Sequence, residues 1–183
     1  MKKLLMVFSL SLVLVFGLCS FAMAASAVKL GYDFSGNIKG SANIDTEKDT
    51  DGGATVGFEY TFPQDQLEYG FGVQYQFERA VKDTDRKFNF IPVYGVINYH
   101  FPVDSDVKPY VTARLGYNFL TANDSFKNGR NPQGGVYYGA GFGVAINQFI
   151  IEALYSQNNG SLDGGGGVNI ANHQISLNFG YKF

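Results

Sequence analysis

The chain has 183 residues with 14 basic and 16 acidic side chains, a formal net charge of −2, and a length that allows one domain and little more. So weak and mixed a charge argues against nucleic acid as a partner. The 23 Gly, 12 Tyr and 17 Phe, with no Trp, suit many strands and turns rather than a helical fold.

The start of the chain reads as processing information. Lys2 and Lys3 precede an apolar run from Leu4 to about Leu18, and small residues follow at Ala22, Ala24, Ala25 and Ala27. This pattern predicts a secretory signal peptide over residues 1–24, cleaved after Ala22-Met23-Ala24, with Ala25-Ser26-Ala27 as a second site. The run is short for a membrane anchor and no stop-transfer pattern follows. Cys19, the one cysteine, lies inside this leader behind Leu18, where a lipoprotein would need a small residue. The exported domain, 25–183, is therefore expected to be cysteine-free and independent of disulfides. Without Lys2 and Lys3 the 14 basic residues become 12 against 16 acidic, a net charge of about −4.

From Val28 onward the chain alternates with period two, the signature of strands with one apolar face. Val28, Leu30, Tyr32 and Phe34 oppose Lys29, Gly31, Asp33 and Ser35, and a polar loop follows from about Lys39 to Gly53. Ala54 to Phe62 is the second strand, and Pro63 to Gln66 a tight turn. Leu67 to Phe77 is the third, followed by a charged loop from Glu78 to Arg86. A fourth, less clean strand ends at Phe101, and Pro102 to Val107 forms the next turn. Lys108 to Phe119 is the fifth, before a loop from Leu120 to Gln133. The sixth runs from about Gly135 to Ile146, and Asn147-Gln148 suits a two-residue hairpin turn. Phe149 to Ser156 is the seventh, then a Gly-rich loop from Gln157 to about Ala171 precedes the terminal strand, Asn172 to Phe183.

About eight strands therefore alternate long polar loops with short turns, a segregation expected of a membrane β-barrel whose turns face the periplasm and whose loops face outward. Charge orients the faces. The apolar face carries aromatic residues near its ends: Tyr60, Phe62, Tyr69, Tyr99, Phe101, Phe149, Tyr181 and Phe183 at the periplasmic side, and Phe34, Tyr75, Phe77, Tyr117, Phe119 and Tyr155 at the outer side. These match interfacial girdles. A soluble lipocalin-like barrel would turn its apolar face inward, and the girdles argue against that. In hydrocarbon no sheet edge is viable, so the terminal strand must pair with the strand starting at Val28.

The last residues carry a further signal. Ile175, Leu177, Phe179, Tyr181 and Phe183 alternate with polar residues or Gly up to an aromatic terminus, which resembles the assembly signal of bacterial outer-membrane barrels. With Lys108-Pro109-Tyr110-Val111, Arg114-Leu115-Gly116-Tyr117 and the Gly139-Ala140-Gly141-Phe142-Gly143 run, the mature chain resembles the small OmpA/OmpX-like outer-membrane β-barrel families. The resemblance implies an all-β, eight-stranded antiparallel up-and-down transmembrane barrel in the outer membrane of a Gram-negative-type bacterium. It also implies partners: outer-membrane lipid, and the barrel-assembly machinery and periplasmic chaperones during biogenesis. It says little about activity, since these families host adhesins, structural barrels, small channels and a few enzymes. No periplasmic peptidoglycan-binding domain follows the barrel in this sequence, so cell-wall tethering of the OmpA kind is not expected.

The inward face groups Lys29, Glu59, Glu68, Arg114, Glu152 and Lys182 as the candidate site. An eight-stranded barrel has interior enough for side chains only, so a packed ion-pair network is expected, with Arg114 bridging Glu152 and Glu59. The alternative is a narrow ion path, with the inward glycines leaving room for water. No catalytic, cofactor or metal site is expected: the histidines, His100 and His173, fall at opposite barrel ends, and no metal-ligand spacing occurs. A His173–Ser156 pair is the one enzyme-like combination, a third reading in the manner of lipid A-modifying barrels. Gly164 to Gly167 lacks the context of a phosphate loop. The acidic first loop, Asp45 to Asp51, reads first as a solvated loop, with a divalent cation or a basic partner as the alternative, and the loops as the exposed surface could contact an extracellular ligand. A structural, surface-interacting barrel with a plugged polar lumen is the leading functional expectation.

Overall fold

A computed structural model describes residues 24–41, 48–127, 129–163 and 168–183. Residues 1–23 of the expected leader, Asp45 and Glu47 of the acidic loop, and the Gly164 to Gly167 run lie outside the described residues.

The strands are β1 (Ala25–Asp33), β2 (Gly36–Ser41), β3 (Lys48–Thr50), β4 (Gly53–Gln64), β5 (Leu67–Gln76), β6 (Arg79–Ala80), β7 (Lys87–His100), β8 (Val107–Ala122), β9 (Asn131–Ile146), β10 (Phe149–Asp163) and β11 (Val168–Lys182), with a one-turn helix, α1 (Asp124–Lys127), between β8 and β9. Eight of them form an antiparallel ring in the order β1-β4-β5-β7-β8-β9-β10-β11, closed by β1 against β11 from Ala27↔Lys182 to Asp33↔Ser176. The expected closure is therefore observed, and it removes the sheet edge that hydrocarbon would leave unpaired.

Three short connections join neighbouring strands at one end. Asp65 and Asn147 adopt left-handed φ of 54° in their hairpin turns, which Asp and Asn tolerate well. Between β7 and β8 the chain turns through 101–106.

The alternation places side chains as the sequence requires. Leu30, Ile97, Leu115, Phe142 and Phe179 are 55–69% exposed on the outer wall, a surface that only lipid can cover. One girdle residue departs from this: Tyr60 is 4% exposed. Its ring stands 5.2 Å from that of Phe62 and 5.5 Å from that of Phe71 on the same outward face.

The outer end differs more. Among the described residues, parts of the segments expected as loops are strand: 39–41 and 48–50, 79–80, 120–122 and 131–133, and 157–163 and 168–171. β8, β9, β10 and β11 have 16, 16, 15 and 15 residues, where about 9–11 cross a membrane. They rise well above β1, β4 and β5, and the gap on that side is filled by β2, β3 and β6. β2 pairs with β11 from His173↔Asn37 to Asn169↔Ser41. β3 meets the end of β6 through the Thr50↔Val81 bridge, and β6 pairs with β7. The barrel thus continues beyond the membrane with substitute strands. β8 and β9 part after Asn118↔Gly135, and the connection carrying α1 lies between their outer ends. Asn123 Oδ1 caps this helix by accepting from Phe126 N at 2.9 Å.

Inside this extension sits an apolar cluster of Ile38, Val81, Phe88, Phe90, Leu120, Leu162 and Ile170, joined by Phe126. Phe90 is fully buried, and Phe88 packs 5.7 Å from it and 5.3 Å from Phe126. These residues continue the inward period of two past the point where lipid ends, so the inward face changes from polar to apolar. Phe90→Ala is expected to lower the unfolding free energy of the refolded barrel by about 3–5 kcal/mol, the usual cost of emptying a buried phenyl site. A urea titration in lipid vesicles that left the midpoint unchanged would show that the cluster is not a packed core.

Candidate functional site

The six candidate charges divide into two groups. Lys29 on β1, Glu59 on β4, Arg114 on β8 and Glu152 on β10 converge in mid-lumen as a quartet. Lys29 Nζ lies 2.7 Å from Glu59 Oε2 and 3.0 Å from Glu152 Oε2. Arg114 Nη2 lies 2.8 Å from Glu59 Oε1 and 2.6 Å from Glu152 Oε1. All four side chains are at most 6% exposed. Each carboxylate therefore bridges both cations. Two positive and two negative charges make the quartet neutral, which is what burial demands, because an uncompensated ion would cost several kcal/mol.

Tyrosines complete it. Tyr94 donates its hydroxyl to Glu59 at 2.9 Å, and Tyr110 donates to Glu152 at 3.0 Å. Asn178 Nδ2 donates to Glu152 at 3.2 Å. The Arg114 guanidinium stands 5.0 Å from the centre of the Tyr94 ring, within cation–π range. The glycines explain why these rings fit. A Cβ on Gly72 would meet the Tyr94 ring at 2.7 Å, and one on Gly143 would meet the Tyr110 ring at 2.5 Å. At these positions the space that inward glycines open is filled by tyrosine rings rather than left for water, which corrects that part of the channel expectation.

Glu68 and Lys182 are not part of the quartet. They meet nearer the periplasmic end, Lys182 Nζ lying 2.5 Å from Glu68 Oε1. His100 Nε2 is 2.9 Å from Glu68 Oε2, and Thr61 donates its hydroxyl to Glu68. A cavity of about 20 Å3 lies between this cluster and the quartet, lined in part by Lys29, Glu59, Glu68, Asn98, His100 and Lys182. That is room for about one water molecule.

A third group went unrecognised in the sequence. Arg79 of β6 turns into the outer lumen and pairs with Asp33. Its Nη1 donates to Gln174 at 2.5 Å and to Gln76 at 3.3 Å. Asp33 stood on the inward face of the first strand, but Arg79 lay in a segment expected as a loop, where no periodicity marks direction. Above the quartet the wall is amide-rich, with Asn118, Asn158, Asn172 and Gln174 buried.

The enzyme-like pair is not formed. Ser156 lines the lumen at 1% exposure. His173 pairs in register with Gln157, one residue further along β10, and its Nδ1 meets the Tyr155 hydroxyl at 2.8 Å on the outward face. A one-residue offset in a strand puts two side chains on opposite faces. His100 and His173 also remain at opposite ends.

The residues of the terminal signal lie along β11, where Ile175, Phe179, Tyr181 and Phe183 are 40–73% exposed and Leu177 is half-buried. Phe183 N donates to Ser26 O at 2.8 Å, so the last residue ties directly to the first strand.

Arg114→Ala is expected to destabilise the barrel by about 3–5 kcal/mol, because Glu59 and Glu152 lose a shared cation in a dry interior. Adding Glu152→Gln should recover part of that loss, so the double variant should be more stable than the sum of the two single changes. Additive losses in urea titrations would show that the quartet is not coupled. Gly72→Val should cost about 1–3 kcal/mol by displacing the Tyr94 ring, and an unchanged midpoint would mean that the ring has free space.

The comparisons with known proteins agree with this geometry. A family model described as outer membrane protein beta-barrel domain matches residues 10–183. The uncharacterized protein PM1543 of Pasteurella multocida (strain Pm70) is 25% identical over 121 residues, covering 53% of this chain and 51% of that protein; the match thus spans about half the length of this curated relative. The crystal structure of Neisserial surface protein A aligns with a TM-score of 0.57 at 19% identity, covering 87% of this chain and 99% of that one. OprG from Pseudomonas aeruginosa aligns with a TM-score of 0.54 at 15% identity, covering 88% and 96%. Identities this low speak for the fold alone. The chain belongs to the outer membrane protein beta-barrel domain family and is an outer-membrane protein whose aromatic-girdled wall faces lipid.

Proposed function

We propose that this barrel is a structural and surface-presenting protein of the outer membrane whose lumen transports nothing. The observation that carries the reading is the stack of barriers along the barrel axis. From the periplasmic end these are the Glu68–Lys182 cluster, the quartet on Arg114, the Arg79–Asp33 pair and the apolar cluster around Phe90. An ion entering from outside would first have to desolvate in apolar surroundings and then displace paired charges, and each step is costly. The luminal charges Lys29, Glu59, Glu68, Arg114, Glu152 and Lys182 then serve packing and register. The surface left for function is the extracellular extension, through which an external ligand would be met.

Biogenesis follows the same reading. The leader is removed, the chain passes periplasmic chaperones, and Ile175, Leu177, Phe179, Tyr181 and Phe183 present the strand that the assembly machinery recognises. β1 begins at Ala25, and Ala27 is buried opposite Glu59 and Lys182. Cleavage after Ala24 would leave β1 whole, whereas cleavage after Ala27 would remove its first turn of pairing. Intact-mass measurement of the mature protein is expected to give Ala25 as the first residue; a chain starting at Val28 would refute this.

The decisive test is single-channel recording of the refolded protein in a planar bilayer. Wild type should show no steady conductance, and Arg79→Ala combined with Phe90→Ser should stay silent too, because the quartet on Arg114 still closes the lumen below them. Steady wild-type conductance that changes in Arg114→Ala would instead establish a narrow channel for ions or small solutes.

A further inference from the structure

Several polar links through the lumen join strands on opposite sides of the β1–β11 seam. Lys29 of β1 reaches Glu152 of β10, Arg79 of β6 reaches Gln174 of β11, and Lys182 of β11 reaches Glu68 of β5. In an open sheet of this strand order, β5 and β11 stand five strand spacings apart, about 24 Å. The Lys182–Glu68 pair therefore belongs to the closed ring. Its two halves differ in what holds them. Glu68 is fixed from neighbouring strands: Thr61 of β4 donates its hydroxyl to Oε1, and His100 Nε2 of β7 lies 2.9 Å from Oε2. β4, β5 and β7 are consecutive in the ring, so this carboxylate site is complete before β11 arrives. Lys182 is the one Lys, Arg, Asp or Glu in β11, and its side chain is 29% exposed. At so wet a position an unpaired ammonium stays hydrated, and the incomplete barrel bears no buried charge.

We propose that Glu68, Thr61 and His100 form a preorganised receptor for the Lys182 ammonium, which captures β11 in the closing step and draws it off the assembly machinery. β11 carries a different label on each face. Ile175, Phe179 and Tyr181 point outward and are 40–57% exposed, whereas Lys182 turns inward onto Glu68. A partner that holds the outward row leaves the inward lysine free. The barrel's own carboxylate then competes for the same strand from the other face, through a charge-assisted bond of 2.5 Å. Capture also fixes register. Lys182 stands opposite Ala27, and a slip of one residue would turn its ammonium toward lipid. The partner in this competition rests on the biogenesis proposed above; the clasp itself does not.

The test follows folding of the full mature protein into lipid vesicles, with and without reconstituted assembly machinery, by its gel-mobility shift on heating. Wild type should fold faster where the machinery is present. Lys182→Gln and Glu68→Gln should each slow folding about tenfold in both kinds of vesicle, the scale of one hydrogen bond to a charged group. The double variant should be no slower than either single one, because both changes remove the same contact. Lys182→Arg keeps the cation and should fold at the wild-type rate. A photocrosslinker at position 179 should show Lys182→Gln held on the machinery for longer than wild type. Unchanged folding rates with faster unfolding would overturn the proposal, since the pair would then merely hold the finished barrel. Additive slowing in the double variant would overturn it too. If Glu68→Gln does not fold, Lys182→Gln against Lys182→Arg decides the capture. Machinery that fails to speed wild type would refute the biogenesis reading and the competition with it, while the machinery-free rates still judge the clasp.

Discussion

Everything in this molecule depends on backbone hydrogen bonds that have no alternative partner. In hydrocarbon an unpaired N–H or C=O costs several kcal/mol, so the strand that begins at Ala25 and the strand that ends at Lys182 must find each other. Their pairing from Ala27↔Lys182 to Asp33↔Ser176 closes the ring. Once the ring is closed, each strand has one face toward lipid and one toward a lumen too narrow for more than side chains. The two faces then obey opposite rules, apolar outside and largely polar inside.

The interior solves a packing and an electrostatic problem together. Charged groups from four different strands must balance locally, and they do so as a neutral quartet in which both carboxylates contact both cations. Tyr94 and Tyr110 supply further hydrogen bonds and bulk. Those rings need room, which Gly72 and Gly143 provide by having no Cβ. Large and small residues therefore alternate across the lumen as they do in any close-packed core. The quartet locks β1, β4, β8 and β10 across the barrel, contacts that the backbone ladders between neighbouring strands cannot make.

The extracellular extension follows different physics. Above the membrane the outer wall meets water, and the inward face can become apolar, as in a soluble barrel. Phe88, Phe90, Leu120 and their neighbours form such a core. β1, β4 and β5 stop near the membrane surface, and β2, β3 and β6 replace them so that this core stays covered. One chain thus combines a polar-filled barrel in lipid with an apolar-filled barrel in water, with Arg79 and Asp33 between them.

Much of this was legible in the sequence because a strand's period of two is local. Alternation at Val28 to Ser35, at Leu67 to Phe77 and along the terminal residues assigned faces correctly, and charge decided which face was inside. The short turns were legible for the same reason, as Asp65 and Asn147 occupy positions whose conformation those residues favour. Even the meeting of Arg114 with Glu59 and Glu152 could be anticipated, because inward charges in a narrow lumen have few partners to choose from. What tertiary structure alone decided were relations between strands that no local pattern encodes. Register put Glu68 and Lys182 with His100 rather than with Arg114, and it put His173 and Ser156 on opposite faces. The extracellular strands were hidden because their inward residues are apolar among polar neighbours, which in a linear reading looks like irregular loop. Only the closed ring shows that Ile38, Val81, Phe90 and Leu162, far apart in the chain, fill one interior, since burial is a property of the assembled barrel and not of any segment of it.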